Sequence, residues 1–300
     1  MQHLTRVAPW LFLLMWSSGA IFVKLGLEYA SVWSFLTLRC VGAFAVTLLL
    51  IVLVRPGLLN EIQSLTGAQK RNLFVVALLL QIGYQSLFFL SIAHQLSPGL
   101  VAIVLGLQPI LTPMFAKERL TLAQYSWLGL GFGGLTLAIF ASRDTSQLAV
   151  NGLIFALLAV VTMVCASIQQ KQSQVNVLIS SLLQNAVAGV CFATLQVYLG
   201  WEIAWTPQFI LALSWMTVVV SVGAILLMYF MLSQNQASKV NVLFYLVPLV
   251  TLGLDNLVYQ APVPAFTLVG VAIVLFATRA FVKSLSLVSA SQKSEQTESI

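Results

Sequence analysis

Lys24 and Arg39 stand inside an apolar hairpin, Trp16 to Leu50, that reads WSSGAIFVKLGLEYASVWSFLTLRCVGAFAVTLLL. A charge in such surroundings is costly unless it meets a partner or a wet cavity, so an intramembrane basic pair marks a functional site by default. At 1.5 Å per residue, Lys24 lies roughly 22 Å along the first helix and Arg39 roughly 10 Å down the second from the opposite end. The two charges therefore share a level in the outer half of a membrane. The chemistry on offer is anion recognition, Arg39 with its bidentate fork and Lys24 as a point charge. The competing role is structural: Lys24 snorkels to the interface beside Glu28, and Arg39 locks backbone carbonyls or an acid.

Asp255 is the carboxylate well inside a predicted helix, seven residues beyond Pro248 and near the same face of it. It is a candidate for proton coupling or for holding a substrate ammonium. An ion pair with Lys24 or Arg39, or a cap on a helix, is the alternative. Gln81, Tyr84, Gln85 and Phe88 recur at i, i+3, i+4 and i+7, a polar-aromatic stripe in an otherwise apolar helix. Polar atoms in hydrocarbon need partners, so the stripe either lines a cavity or bonds a neighbouring helix. Trp16 and Ser17, Gln108 beside Pro109, Ser167, Gln169 and Gln170, Tyr229 and Tyr245 complete the substrate-site candidates.

The elements that must position these side chains follow from composition. Of 300 residues, 60% are hydrophobic and 7% charged, with a mean hydropathy of +0.98. That leaves too few polar groups to cover a soluble surface. A membrane helix needs about 20 apolar residues, and ten such blocks are present. They are Pro9–Leu25, Val32–Val54, Leu73–His94, Pro98–Ala116, Thr121–Ala141, Gly152–Gln169, Val177–Leu199, Phe209–Ser233, Val240–Tyr259 and Val263–Val282. The fold class is all-α integral membrane, and the blocks are too long for the alternating strands of a barrel. Gly129, Gly131, Gly133 and Gly134 bring the fifth block close to a neighbour within the monomer. Trp10, Trp33, Trp201, Trp205 and Trp215 fall near block ends, as an interfacial belt requires.

With the N-terminus inside, the cytoplasmic side carries Arg6, Arg55, Lys70, Arg71, Lys117, Arg119, Lys171, Lys239, Arg279, Lys283 and Lys293, and the outside carries Arg143. This bias sets both termini in the cytoplasm and keeps the number of crossings even. It also explains the basic excess, 14 against 8, without nucleic acid. The N-terminal run is read as a retained first helix, since it offers no convincing cleavage site. Cys40, Cys165 and Cys191 lie inside apolar blocks, and His3 and His94 stand alone. Neither a phosphate loop nor a G-x-S-x-G elbow is present. No cofactor, metal or enzyme activity is expected.

A repeat is visible. Phe88–Leu111, FFLSIAHQLSPGLVAIVLGLQPIL, and Leu227–Leu249, LMYFMLSQNQASKVNVLFYLVPL, align at a shift of 139 residues, each with a proline interrupting the second helix. Ala166, Ser167 and Gln170 stand near the places of Ala20, Ile21 and Lys24. Five helices per unit is odd, so the copies must be inverted about an axis in the membrane plane. The units are 1–146 and 147–284, followed by a polar, disordered cytoplasmic tail, 285–300.

WSSGAIFVKLGLE, the following LTLRCVGAFAVTLLL, LSPGLVAIVLGLQPIL, the KERLT loop and the Gly-rich GLGLGFGGLTLAIF occur in an order and spacing that resemble the drug/metabolite transporter superfamily. The resemblance is to its ten-helix EamA-type exporters and covers about Pro9 to Arg279. It implies an exporter or exchanger of small metabolites in the cytoplasmic (plasma) membrane, with a cavity lined from both repeats. The expected function is secondary transport of amphipathic solutes, amino-acid-like or zwitterionic, by alternating access in a monomer or weak dimer. A phosphorylated-metabolite or nucleotide-like exchanger is the second reading. A non-transporting assembly or signalling protein is the third, though it would need a large loop or tail domain.

Overall fold

The computed structural model describes residues 2–116, 120–141, 149–171, 175–233, 237–260 and 263–298. Hydrocarbon offers a backbone no hydrogen bonds, so the chain closes its own within helices. The first hairpin is α1 (Gln2–Leu27) and α2 (Val32–Val54), the latter started by the Ser31 hydroxyl accepting from the Ser34 N–H. A short α3 (Leu58–Gln63) leads to α4 (Gly67–Val76), which opens on a reciprocal capping box of Thr66 and Gln69. The helix then widens into a π-helical stretch, Ala77–Tyr84, and continues as α5 (Gln85–Ala93). Ser97 caps α6 (Pro98–Leu105), and α7 (Gln108–Phe115) follows a break at Gly106.

Next come α8 (Leu122–Ala141), α9 (Val150–Lys171) and α10 (Val177–Leu199). Helix α11 (Pro207–Ser214) starts on a Thr206 cap, enters a second π-helical stretch, Trp215–Ala224, and continues as α12 (Ile225–Ser233). The last two are α13 (Ala237–Tyr259) and α14 (Ala265–Glu298). Six stretches are long and apolar enough to cross a membrane: Val7–Leu27, Val32–Val54, Gly67–Ala93, Val150–Gln170, Val177–Leu199 and Pro207–Met228. Leu246–Tyr259 and Ala265–Phe281 are shorter apolar helices. Leu122, Val197 and Tyr198 are each more than 80% exposed, as side chains solvated by lipid would be.

Three local expectations change. Pro109 and Pro248 do not interrupt their helices alike. The first helix breaks upstream of Pro109, at Gly106, whereas α13 runs unbroken through Pro248. The register explains this: the 139-residue shift sets Gly106 opposite Tyr245, and only the glycine loosens the backbone. The two sites touch, since a Cβ on Gly106 would lie 3.2 Å from Pro248 Cγ. Residues 285–298, expected to be disordered, continue α14 as helix; they contain neither Gly nor Pro, and a nucleated helix propagates at little cost. Trp215 leaves the belt for the middle of its helix, while Trp33 stays half-buried in the first turn of α2. Trp33 packs toward Phe192, while Trp215 stacks on Phe22 and donates to the Ser18 hydroxyl.

Helix α8 packs along α14, α2 along α10, and α1 along α13 and the second π-helical stretch. Of Gly129, Gly133 and Gly134 in the fifth block, Gly134 makes the close approach. A Cβ there would meet Ile273 Cγ2 at 2.8 Å and the Gly270 carbonyl at 2.9 Å, while Gly129 and Gly133 face open space.

Candidate functional site

Lys24 and Asp255 come together at the end of the bundle that holds Ala30. The Asp255 side chain is 2% exposed and that of Lys24 33%, with Nζ 3.8 Å from Oδ1. Proline and serine explain why the carboxylate sits there. Ser97 caps α6 and Pro98 occupies its first turn, leaving the Gly99 N–H to donate to Asp255 Oδ2 at 3.2 Å. An anion at a helix N-terminus is favoured by the orphan amides and the dipole. Gly99 has no room for a side chain, since a Cβ would meet Leu252 Cδ2 at 2.5 Å. Lys24 Nζ also lies 3.8 Å from the centre of the Tyr259 ring, and the Tyr259 hydroxyl donates to the Ile21 carbonyl. Lys24 lines a cavity of about 420 Å³ together with Glu28, Ser31, Gln95 and Ser97.

Around this pair the first and second parts of the chain are stitched shut. Ser31 N–H donates to the Glu202 carbonyl and Ala204 N–H to that of Tyr29, on either side of the Ala30–Ile203 bridge. The Ser34 hydroxyl accepts from Gln196 Nε2 and the Glu202 N–H, both at 3.2 Å. Beneath them Phe35 meets Phe89 and Phe209 edge-on, at 5.2 and 5.5 Å between ring centres, all three rings fully buried. Ser34→Ala orphans buried Gln196 and is expected to cost about 1–3 kcal/mol, read as a lower melting temperature in detergent.

Arg39 takes different partners. It is 3% exposed, and its Nε donates to the Ser221 hydroxyl at 3.3 Å and its Nη2 to Gln81 Oε1 at 3.4 Å. It therefore lies between the two π-helical stretches, one from each side of the chain. Those stretches correspond. They begin at Ala77 and Trp215 and end at Tyr84 and Ala224, and each carries a glycine, Gly83 and Gly223, whose added Cβ would crowd the carbonyl five residues back.

The remaining candidates divide among other contacts. Tyr84 and Phe88 stack at 5.7 Å. Gln85 is partly exposed beside them. Gln108 donates to the Ser167 hydroxyl at 3.2 Å, and Gln170 accepts from Gln184 at 2.9 Å. Trp16 tilts against Phe12 at 5.6 Å. The side chains of Tyr229 and Tyr245 lie outside the described residues. Gly99, Tyr259, Ser221 and Gln184 belong to these groups and were not expected. Of the groups that hold Arg39, Gln81 stood in the polar-aromatic stripe read from the sequence, while Ser221 carried no signal there.

Residues 8–140 match the model of the EamA-like transporter family. They are an EamA-like transporter domain. That domain belongs to the drug/metabolite transporter superfamily, and together with the six long apolar stretches it makes the chain a multi-pass membrane protein. The EamA-like domain spans α1 to α8, so it contains Lys24, Arg39 and Gln81, while their partners Asp255 and Ser221 lie beyond it. No curated protein matches the chain. A solved structure described only as "Crystal structure of protein" shares the fold of the EamA-like domain and the rest of the chain. It has a TM-score of 0.64 and 15% identity over 94% of this chain and 96% of that one.

Proposed function

We propose that the protein is a secondary transporter of small amphipathic solutes, amino-acid-like or zwitterionic, in export or exchange across the cytoplasmic membrane. Two five-helix units of opposite insertion, 1–146 and 147–284, give ten crossings and alternate access to a site between them. The observation that carries this reading is the seal at the Ala30 end. It is built almost wholly between the halves, from Lys24 with Asp255, Ser31 with Glu202 and Phe35 with Phe209. An interface of that kind is what two rocking units would open and close.

The packing supports the inverted pairing. Helix α1 packs on α13 as α9 packs on α6 and α7, and α1 meets the second π-helical stretch as α9 meets the first. The distribution of basic residues assigns the Ala30 end to the outside and both termini to the cytoplasm. The protein is not an enzyme in this reading, and it works as a monomer or weak dimer. Lys24 and Arg39 have separate partners, which leaves a dianionic phosphate no convergent pair of cations and disfavours the phosphorylated-metabolite reading.

Purified protein in liposomes is expected to exchange labelled solutes from a panel of amino acids, sugars and phosphorylated metabolites. Uptake confined to the first class supports the reading. Uptake of phosphorylated metabolites alone replaces the solute class, and protein-free rates throughout overturn transport itself.

A further inference from the structure

We infer that Arg39 is the docking point for a single carboxylate group of the transported solute. The inference rests on the transporter reading above and names its substrate class. Arg39 is buried among neutral partners. Among the described residues no carboxylate lies within ion-pair distance of it, Lys24–Asp255 being the salt bridge they form. Its two hydrogen bonds, to Ser221 and Gln81, are long, and its Nη1 has no partner at all. Taking a guanidinium out of water costs several kcal/mol unless charge and hydrogen bonds are both met, so this site lacks one negative charge.

A second orphan lies on the same seam. Gly42, one turn beyond Arg39 on α2, rests against Thr217, whose hydroxyl is 3.4 Å from where a Gly42 Cβ would stand. Thr217 is 6% exposed and its hydroxyl is unpartnered. It sits one turn before Ser221 in the π-helical stretch. Ser221 donates to the Met216 carbonyl at 2.7 Å, which turns its lone pairs toward Arg39. The seam between α2 and residues 215–224 thus offers an unpaired guanidinium nitrogen, Nη1, and an unpaired hydroxyl donor. A carboxylate has one charge and two acceptor oxygens, which answer the charge and Nη1 of Arg39 and the hydroxyl of Thr217. A phosphate dianion would bring a second charge that nothing here balances. Because the arginine is held by one π-helical stretch from each half, a carboxylate bound there couples to the junction that rocking must deform. Irregular helical turns of this kind recur at functional sites.

The test uses matched pairs in proteoliposomes: L-leucine with L-leucinamide, L-phenylalanine with L-phenylalaninamide, and benzoate with benzamide, with inorganic phosphate and chloride as competitors. The acid of a transported pair is expected to be carried at least tenfold faster than its amide, with neither competitor blocking it. Arg39→Gln is expected to erase that preference, and Arg39→Lys, which keeps the charge but not the fork, to retain part of it. In detergent the wild type is expected to melt higher with the acid than with the amide, a measurement that needs no variant to fold. Equal transport and equal melting shifts for acid and amide overturn the inference while leaving transport intact. So does an Arg39→Gln protein that still prefers the acid, or block by phosphate or chloride. Transport of no member of any pair overturns both the inference and the reading beneath it.

Discussion

Gly270→Val is expected to lower the melting temperature of the purified protein by roughly 6 °C or more. The reason is backbone, not side chain. A Cβ on Gly270 would lie 2.6 Å from both the Ala138 nitrogen and the Gly134 carbonyl, atoms of α8 that have no rotamer to change. Thr267 adds a hydrogen bond to the Ala138 carbonyl along the same contact. The two helices must separate or slide, and overpacking of this kind costs about 3 kcal/mol when nothing flexible can yield. In a membrane the loss is felt fully, because α8 and α14 are held by close van der Waals approach and not by exclusion from water. Gly133→Val is the control. It introduces the same side chain into α8 where an added Cβ meets nothing, so its melting temperature should stay near that of the wild type. Equal losses from the two substitutions would mean that the valine, and not the contact, does the damage.

Asp255→Asn is expected to open the Ala30 end. The substitution removes the charge that faces Lys24 and the N-terminus of α6 together. Breaking a buried ion pair costs about 3–5 kcal/mol. Lys24 is a third exposed, so solvent recovers part of that. A remaining loss of about 2 kcal/mol from the closed arrangement raises the open population by up to roughly thirtyfold. Ala20→Cys, one turn below Lys24 on the same face of α1 and buried in the closed arrangement, reports on it. Its labelling by a membrane-impermeant maleimide should be slow alone and several-fold faster with Asp255→Asn, in protein that elutes as a folded monomer. Lys24→Met should act in the same direction but less. Labelling that ignores both substitutions would show that Phe35, Phe89, Phe209 and the 29–31/202–204 backbone contacts close this end without the ion pair.

Much of the architecture was legible because a bilayer imposes it. Apart from the turn at Gly106–Leu107 and a few residues at block ends, the apolar blocks read from the sequence fall on helix among the described residues, since a run of apolar side chains in lipid has no other way to satisfy its backbone. The Lys24–Asp255 pairing was one of the alternatives weighed, because few charges were available and each needed an answer. The sequence also set Pro109 and Pro248 in register. What could not be read there was how each proline would be treated, since the outcome turned on Gly106 and the neighbour it touches. The π-helical turns were hidden for a similar reason: they depend on which carbonyl each N–H finds, and no residue type enforces that choice. The glycine stripe illustrates the limit most plainly. Gly129, Gly133 and Gly134 look alike in sequence, yet only Gly134 meets α14.

Composition and periodicity alone determined a bilayer-spanning helical protein with three charges requiring an explanation, because burying a charge or a bare amide in hydrocarbon is too costly to be accidental. Tertiary structure alone decided which charge met which partner. It gave Lys24 the carboxylate at the N-terminus of α6, and Arg39 two neutral oxygens from opposite sides of the chain. Lys24 and Arg39 look equivalent when each is a cation in an apolar run; they differ because the energy of a buried charge is set by the groups within a few ångströms, and those come from other helices, 42 residues away for Gln81 and 182 for Ser221.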